Sequence, residues 1–269
     1  MKYFSLADGG KLAYELTVPS HEDGMTFVFI NALTGHMSAW HNETITGQLQ
    51  AAGHGTLCYN FRGQEFSSYS GPEDVTPQTI TNDIIELLQG LQPPKPILVG
   101  LSIGGLFAAQ AHLSGINCDA LVFINTLRKP GVRLDWINKA MVAAATIGGS
   151  QLVMEMNLPH LVNPDFVEAA WPNAQFENYT PGNPEDGLYQ LLAQSPQADW
   201  NVMYEDITAP VLSITGVHDH VFRREDDVAQ LASRIANHKE IQMNNAGHLV
   251  PMERPEEFTS ILLDYAQML

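Results

Sequence analysis

The chain has 269 residues, 45% of them hydrophobic and 16% charged, with 21 glycines and 16 prolines. That is a globular composition near the upper size for one hydrophobic core, and it excludes disordered, collagen-like and coiled-coil classes. Thirteen basic residues stand against 30 acidic ones, a formal charge of −17, and a field of that sign repels phosphate backbones and anionic bilayers, which excludes nucleic acid and membrane surfaces as partners.

Met1 to Lys11 contains no apolar segment followed by a small-residue cleavage site, so the expected location is the cytoplasm. Lys2 to Ala7 and Lys11 to Val18 are strand-like runs parted by Asp8-Gly9-Gly10, a turn that predicts an antiparallel hairpin. Met25 to Asn31, Gly55 to Phe61, Pro96 to Leu101, Asp119 to Asn125 and Pro210 to Gly216 are short apolar runs with little alternation, the pattern of strands buried on both faces. Pro77 to Leu91 and Ile103 to Leu113 carry the helical period between them. Alternating β and α units predict an α/β fold with a doubly wound, mostly parallel sheet. The opening hairpin and a last strand at Lys239 to Met243 bring it to eight strands.

From Thr126 to about Asp199 the alternation stops. Helical stretches at Trp136 to Gly148, Gln151 to Leu158, Asp165 to Trp171 and Gly187 to Gln194 are separated by Pro and Gly. So long an interval is not a loop of a compact domain, and it predicts a helical lid over residues 126–199, inserted between core segments 1–125 and 200–269. A helix from Asp226 to Ala236 and a terminal helix from Pro255 complete the reading. Cys58 and Cys118 lie in or beside apolar runs and read as buried thiols.

The most specific motif is Gly100-Leu101-Ser102-Ile103-Gly104-Gly105, directly after one strand and directly before a helix. A G-x-S-x-G in that setting is a nucleophile elbow, a turn so sharp that the neighbours of the serine must lack side chains. The helix N-terminus behind Ser102 also offers free N–H groups to an oxyanion. A serine hydroxyl needs a base, and the base needs an orienting carboxylate, both following in chain order on loops after later strands. Asp219, in Gly216-Val217-His218-Asp219, and His248, in Asn245-Ala246-Gly247-His248, occupy those two places. Asp226 and Asp227 are rival carboxylates, but they start a helix, where acids act as dipole partners. The loop Asn31-Ala32-Leu33-Thr34-Gly35 follows the first buried strand, and the N–H of Leu33 is the expected second oxyanion donor beside that of Ile103.

With GLSIGG, TGVHD, NAGHLVPMERPEEF and NFRGQEFS (Asn60 to Ser67), the chain resembles the α/β-hydrolase superfamily along its whole length. It departs from the family's D-x-R-G-x-G-x-S loop with Asn60 for Asp and Glu65 for the second Gly, and Asn31-Ala32 replaces the usual His-Gly opening. Asn31 and the stretch from Asn125-Thr126 through Trp136 to Phe166 resemble 3-oxoadipate enol-lactonases and related small esterases. The resemblance implies serine-dependent hydrolysis of a small carboxylic ester or lactone through an acyl-enzyme, with no metal or organic cofactor. Ala32 to Gly35 is similar to the oxyanion loop of homoserine O-acetyltransferases, which makes acyl transfer the alternative activity. A low-turnover small-molecule receptor on the same fold is the non-catalytic alternative.

Arg128, Lys129, Arg133 and Lys139 gather at the start of the lid, where an Arg fork suits a substrate carboxylate. Asn31, Arg128, Arg133, Trp136 and His160 are the candidate substrate contacts. Met154, Met156, Trp136, Trp171 and Phe166 are candidate lining for an acyl pocket. His218-Asp219-His220, with His36 and His41 elsewhere, superficially suggests metal ligands but lacks a second spaced cluster. The expected assembly is a monomer or a homodimer.

Overall fold

The computed structural model describes residues 1–269. Strands β1 (Lys2–Ser5) and β2 (Lys11–Thr17) pair antiparallel across the Asp8-Gly9-Gly10 turn. The others are β3 (Thr26–Ile30), β4 (Gly55–Tyr59), β5 (Pro96–Leu101), β6 (Ala120–Ile124), β7 (Val211–Gly216) and β8 (His238–Met243). All eight make one sheet in the order β1-β2-β4-β3-β5-β6-β7-β8. Beyond the antiparallel contacts of β2, every pairing is parallel. The expected doubly wound, eight-stranded sheet is therefore present. Its central strands β3, β4, β6 and β7 are buried throughout, which is why they read as unbroken apolar runs.

Successive side chains point to opposite faces of a strand, so the sheet sorts its own core into two layers. Val28, Ile30, Leu57, Leu98 and Phe123 meet α2 (Pro77–Leu91), α3 (Ile103–Leu113) and α7 (Glu225–Ala232) on one face. Phe27, Phe29, Ile97, Val99 and Val122 meet Trp40, α1 (Gln48–Ala51), α8 (Val250–Glu253) and α9 (Pro255–Ala266) on the other. The start of α2 is set by its sequence: Thr76 caps it, accepting the N–H of Thr79 at 3.2 Å, and Pro77 needs no donor of its own in the first turn.

Between β6 and β7 run α4 (Val132–Leu161), α5 (Pro164–Ala170) and α6 (Gly187–Gln194). The two helices expected over Trp136–Gly148 and Gln151–Leu158 form one element, α4, broken by non-helical backbone at Gly148 and Gly149. Asn163 caps α5 by accepting the N–H of Phe166 at 3.1 Å. No helix is long and apolar enough to cross a membrane.

Candidate active site

At the junction of β5 and α3, Ser102 holds φ 60° and ψ −121°, a strained conformation for a residue with a side chain. The flanking glycines make the turn possible. A Cβ on Gly100 would lie 2.3 Å from the backbone nitrogen of Gly105, and one on Gly104 would lie 2.4 Å from the carbonyl oxygen of Ile30. The second contact also brings the loop after β3, with Leu33, against the elbow. Ile103 is the first helical residue, so its N–H has no intrahelical acceptor. None of the loop hydrogen bonds uses the N–H of Leu33. Both expected oxyanion donors are thus uncommitted, and both residues line the cavity that contains Ser102.

Asp219 follows β7 and His248 follows β8, and both are buried. Asp219 Oδ2 lies 2.7 Å from His248 Nδ1, while Oδ1 accepts the N–H groups of Phe222 at 2.8 Å and Val221 at 3.2 Å. Burial works to raise the Asp219 carboxyl, but the charge and hydrogen bond of His248, the charge of Arg128 and the Phe222 N–H outweigh it, leaving the carboxyl below its ordinary value. An ionised carboxylate only accepts, so Nδ1 carries the imidazole proton and Nε2 keeps its lone pair for the cavity. The three residues expected from the motifs are brought together at one end of the sheet.

Arg128 completes the group. Its Nη2 donates to Ser102 Oγ at 2.7 Å and to the carbonyl of Asn125 at 3.1 Å, and lies 3.5 Å from His248 Nε2. No hydrogen bond joins Ser102 Oγ to His248 directly; the guanidinium stands between them. Its carbon sits 3.9 Å from the ring centre of Phe222 and 5.2 Å from that of Trp200. Burial pushes the guanidinium down to about 10, against the opposing pull of Asp219, which leaves it cationic at neutral pH.

The other candidate substrate contacts do not line this cavity. Asn31 is enclosed in a polar network: its amide donates to the Tyr59 carbonyl at 3.0 Å and to Gln64 Oε1 at 2.8 Å, and its oxygen accepts from Trp40 Nε1 at 2.6 Å. Arg133 is turned outward, donating to the Val221 carbonyl at 2.5 Å. Trp136 is 75% exposed, because the inward stripe of α4 is Leu134, Asn138, Met141 and Ala145 and Trp136 lies off it. His160 is exposed, its side chain makes no hydrogen bond, and its carbonyl accepts from the His220 N–H at 2.8 Å. Of the expected apolar lining, Met154 is present, while Met156, Trp136, Trp171 and Phe166 are outside. The His218-Asp219-His220 run does not converge: Asp219 is taken by His248, and His218 Nε2 lies 3.1 Å from the Asn244 carbonyl.

Four supporting residues escape sequence reasoning. Asn125, at φ 49°, ties the acid loop to the base loop: its oxygen accepts the Gly216 N–H at 3.0 Å and its amide donates to the carbonyls of Gly247 and His248 at 2.9 and 3.0 Å. An Asn ending a strand, tolerant of left-handed backbone, is its one sequence signal. Gln64 holds the loop after β3 by donating to the carbonyls of Ala32 and Leu33 at 3.1 Å each. Trp200 and Phe222 wall the cavity from segments with no regular period.

The model of the alpha/beta hydrolase family matches residues 27–261. The chain belongs to that family. Among curated relatives, a Mycobacterium tuberculosis protein bearing the name non-heme bromoperoxidase BpoC is 28% identical over 255 residues, covering 90% of this chain and 94% of the relative. The 3-oxoadipate enol-lactonase 2 of Acinetobacter baylyi is 26% identical over 256 residues, covering 88% and 86%. The crystal structure of the enol-lactonase from Burkholderia xenovorans LB400 has the same fold, with a TM-score of 0.79 at 22% identity over 99% of this chain and 100% of that one. The resemblance read from the motifs is borne out at the level of the family, and the expected class, a carboxylic ester hydrolase, agrees with the enol-lactonases among its relatives.

Proposed function

We propose that the chain hydrolyses small carboxylic esters or lactones through an acyl-enzyme on Ser102, under a lid formed by residues 126–199. The observation that carries this reading is the 2.7 Å contact between Asp219 and His248 Nδ1, which leaves the Nε2 lone pair for a cavity lined also by Ser102 on its strained elbow. Ser102 Oγ attacks the substrate carbonyl and its proton passes to Nε2. The N–H groups of Leu33 and Ile103 receive the oxyanion, and Asp219 stabilises the imidazolium. Collapse expels the alkoxide, which takes the proton from Nε2; in a lactone this alcohol stays tethered to the acyl group. Water then attacks the acyl-enzyme, its proton goes to Nε2 and returns to Ser102 Oγ, and the carboxylic acid leaves.

The apolar wall made by Met141, Val153, Met154 and Leu161 gives the acyl or alcohol part a dry surface. Loss of one oxyanion donor, or of the base, is expected to cost roughly 3 kcal/mol or more of transition-state stabilisation. The decisive experiment measures turnover of short 4-nitrophenyl esters together with labelling by a fluorophosphonate. Ser102→Ala and His248→Ala must lose turnover, and Ser102→Ala must lose the label. Turnover that survives Ser102→Ala, or that EDTA abolishes while the fluorophosphonate leaves it untouched, refutes the assignment.

A further inference from the structure

A guanidinium buried in an enzyme cavity normally faces a carboxylate, because an unpaired charge taken out of water is costly. Arg128 is 6% exposed and forms no ion pair. The acid of the site, Asp219, is already committed to His248 and two backbone N–H groups. The cation is met instead by a hydroxyl, a carbonyl and the faces of Phe222 and Trp200, and its Nε–H is buried with no acceptor. Nε and Nη2 form one edge of the planar fork, the edge that grips a carboxylate with two parallel hydrogen bonds. One of these two groups is unpartnered, and the other is spent on the nucleophile.

We propose that Arg128 masks Ser102 in the free enzyme and is drawn off it by a carboxylate on the substrate, so that the site selects anionic esters or lactones. This deepens the hydrolase reading and rests on it for the chemistry, though not for the binding. In the masked state Nη2 occupies Ser102 Oγ and stands 3.5 Å from Nε2. A cation there opposes proton transfer in two ways: it engages an Oγ lone pair needed for attack, and it disfavours a second positive charge on the imidazole. A carboxylate that takes Nε and Nη2 together supplies the missing acceptor, neutralises the charge beside His248 and frees Oγ. Because Nη2 lies 2.7 Å from Oγ, a carboxylate on this edge belongs roughly two to four bonds from the scissile carbonyl, the spacing of a half-ester of a short dicarboxylic acid. Neutral esters of the same size meet a masked serine.

The test pairs monoethyl glutarate with ethyl butyrate, followed by pH-stat, in the wild type, Arg128→Gln and Arg128→Lys. Glutarate and glutaramide binding is measured by calorimetry in Ser102→Ala with and without Arg128→Gln. The wild type should prefer the anionic ester at least tenfold in kcat/KM. Arg128→Gln should lose on the order of a hundredfold on monoethyl glutarate while gaining several-fold on ethyl butyrate, reversing the preference. Arg128→Lys, which keeps the charge but not the fork, should retain the preference at reduced size. Glutarate should bind Ser102→Ala at least tenfold tighter than glutaramide, and that advantage should vanish in the double variant. An unchanged anionic-to-neutral ratio in Arg128→Gln overturns the proposal, as does an equal fall on both esters. If Arg128→Gln does not fold, equal binding of glutarate and glutaramide to Ser102→Ala overturns it. Hydrolysis that persists in Ser102→Ala, with glutarate binding still dependent on Arg128, removes the serine mechanism and leaves the anion site standing.

Discussion

Glu253 Oε2 accepts both the backbone N–H of Asn163, at 2.7 Å, and its side-chain amide, at 2.6 Å, across 90 residues of sequence. The same oxygen accepts the Gly247 N–H and its partner oxygen accepts the Leu249 N–H, each at 2.9 Å, so one buried carboxylate binds the start of α5 to both neighbours of His248. Glu253→Gln replaces an acceptor-only group with an amide whose NH₂ faces donors. Unfolding in urea should show a loss of about 2–4 kcal/mol with an unchanged slope, since hydrogen bonds to a buried charge are the strong ones. A loss below about 0.5 kcal/mol would show that the clamp is a bystander.

Gln64 should act on the rate and leave affinity alone. It pins the carbonyls of Ala32 and Leu33 and so fixes the direction of the Leu33 N–H, while making no contact with the cavity itself. In Gln64→Leu the donor loop loses its anchor. The expected result is a fall in kcat of about tenfold with KM within a factor of about two, because the oxyanion exists only in the transition state. A rise in KM at constant kcat would place Gln64 in ground-state binding instead.

Asp219 carries a pH signature. Its carboxyl lies below the unfolded value of 3.8, where burial is outweighed by His248 and Arg128. The unfolded chain therefore binds more protons in this window, and stability rises with pH there. The contribution is fully present above pH 3.8 and is lost as pH falls through the folded value. Melting temperatures of the wild type and Asp219→Asn should thus differ most near neutral pH and converge as pH falls below 3.8. A gap that widens on acidification contradicts the ionised pair. Turnover by Asp219→Asn at neutral pH should drop by about 10³- to 10⁴-fold, with the imidazole tautomer no longer enforced.

The legible parts of this site are those where one backbone constraint excludes most residue types. Around Ser102, contacts of 2.3 and 2.4 Å leave room for glycine alone at 100 and 104, so the elbow is written in composition. Asp219 and His248 follow β7 and β8, whose apolar runs end in turn residues, so strand order located them. The surroundings of the cavity are less legible. The stripe Leu134, Asn138, Met141, Ala145 follows the helical period and could be read from the sequence, which would have set Trp136 and Arg133 aside. Residues 126–131 have no period, and nothing in their order says that Arg128 turns inward while Lys129 pairs with Asp227 at the surface. Asn31 is a related case. It follows an all-buried strand and is singled out by the resemblance to enol-lactonases, while its acceptors on Tyr59 and Gln64 come near only through the β3–β4 pairing.

That network offers a last prediction, in which the sign of the pH effect is the evidence. Asn31 uses its amide as a donor to Tyr59 O, Asn60 Oδ1 and Gln64 Oε1, at 3.0, 3.2 and 2.8 Å, and its oxygen as an acceptor from Trp40 Nε1. Asn31→Asp keeps shape and volume but turns the donor into an acceptor, so a carboxylate faces three oxygens with no hydrogen between them. At neutral pH this should cost about 3 kcal/mol or more, the penalty of an uncompensated buried charge. Protonating the new carboxyl restores one donor, and burial among acceptors raises its folded value above the unfolded one. The folded variant therefore binds more protons than its unfolded chain, so acid stabilises it and its deficit should shrink as pH falls, whereas acid removes the stability that the Asp219 carboxylate contributes. Urea midpoints at pH 7 and 5 for wild type and variant decide it. A deficit that stays constant or grows on acidification would mean that Asn31 acts through packing and that its amide donors carry little of the loop's stability.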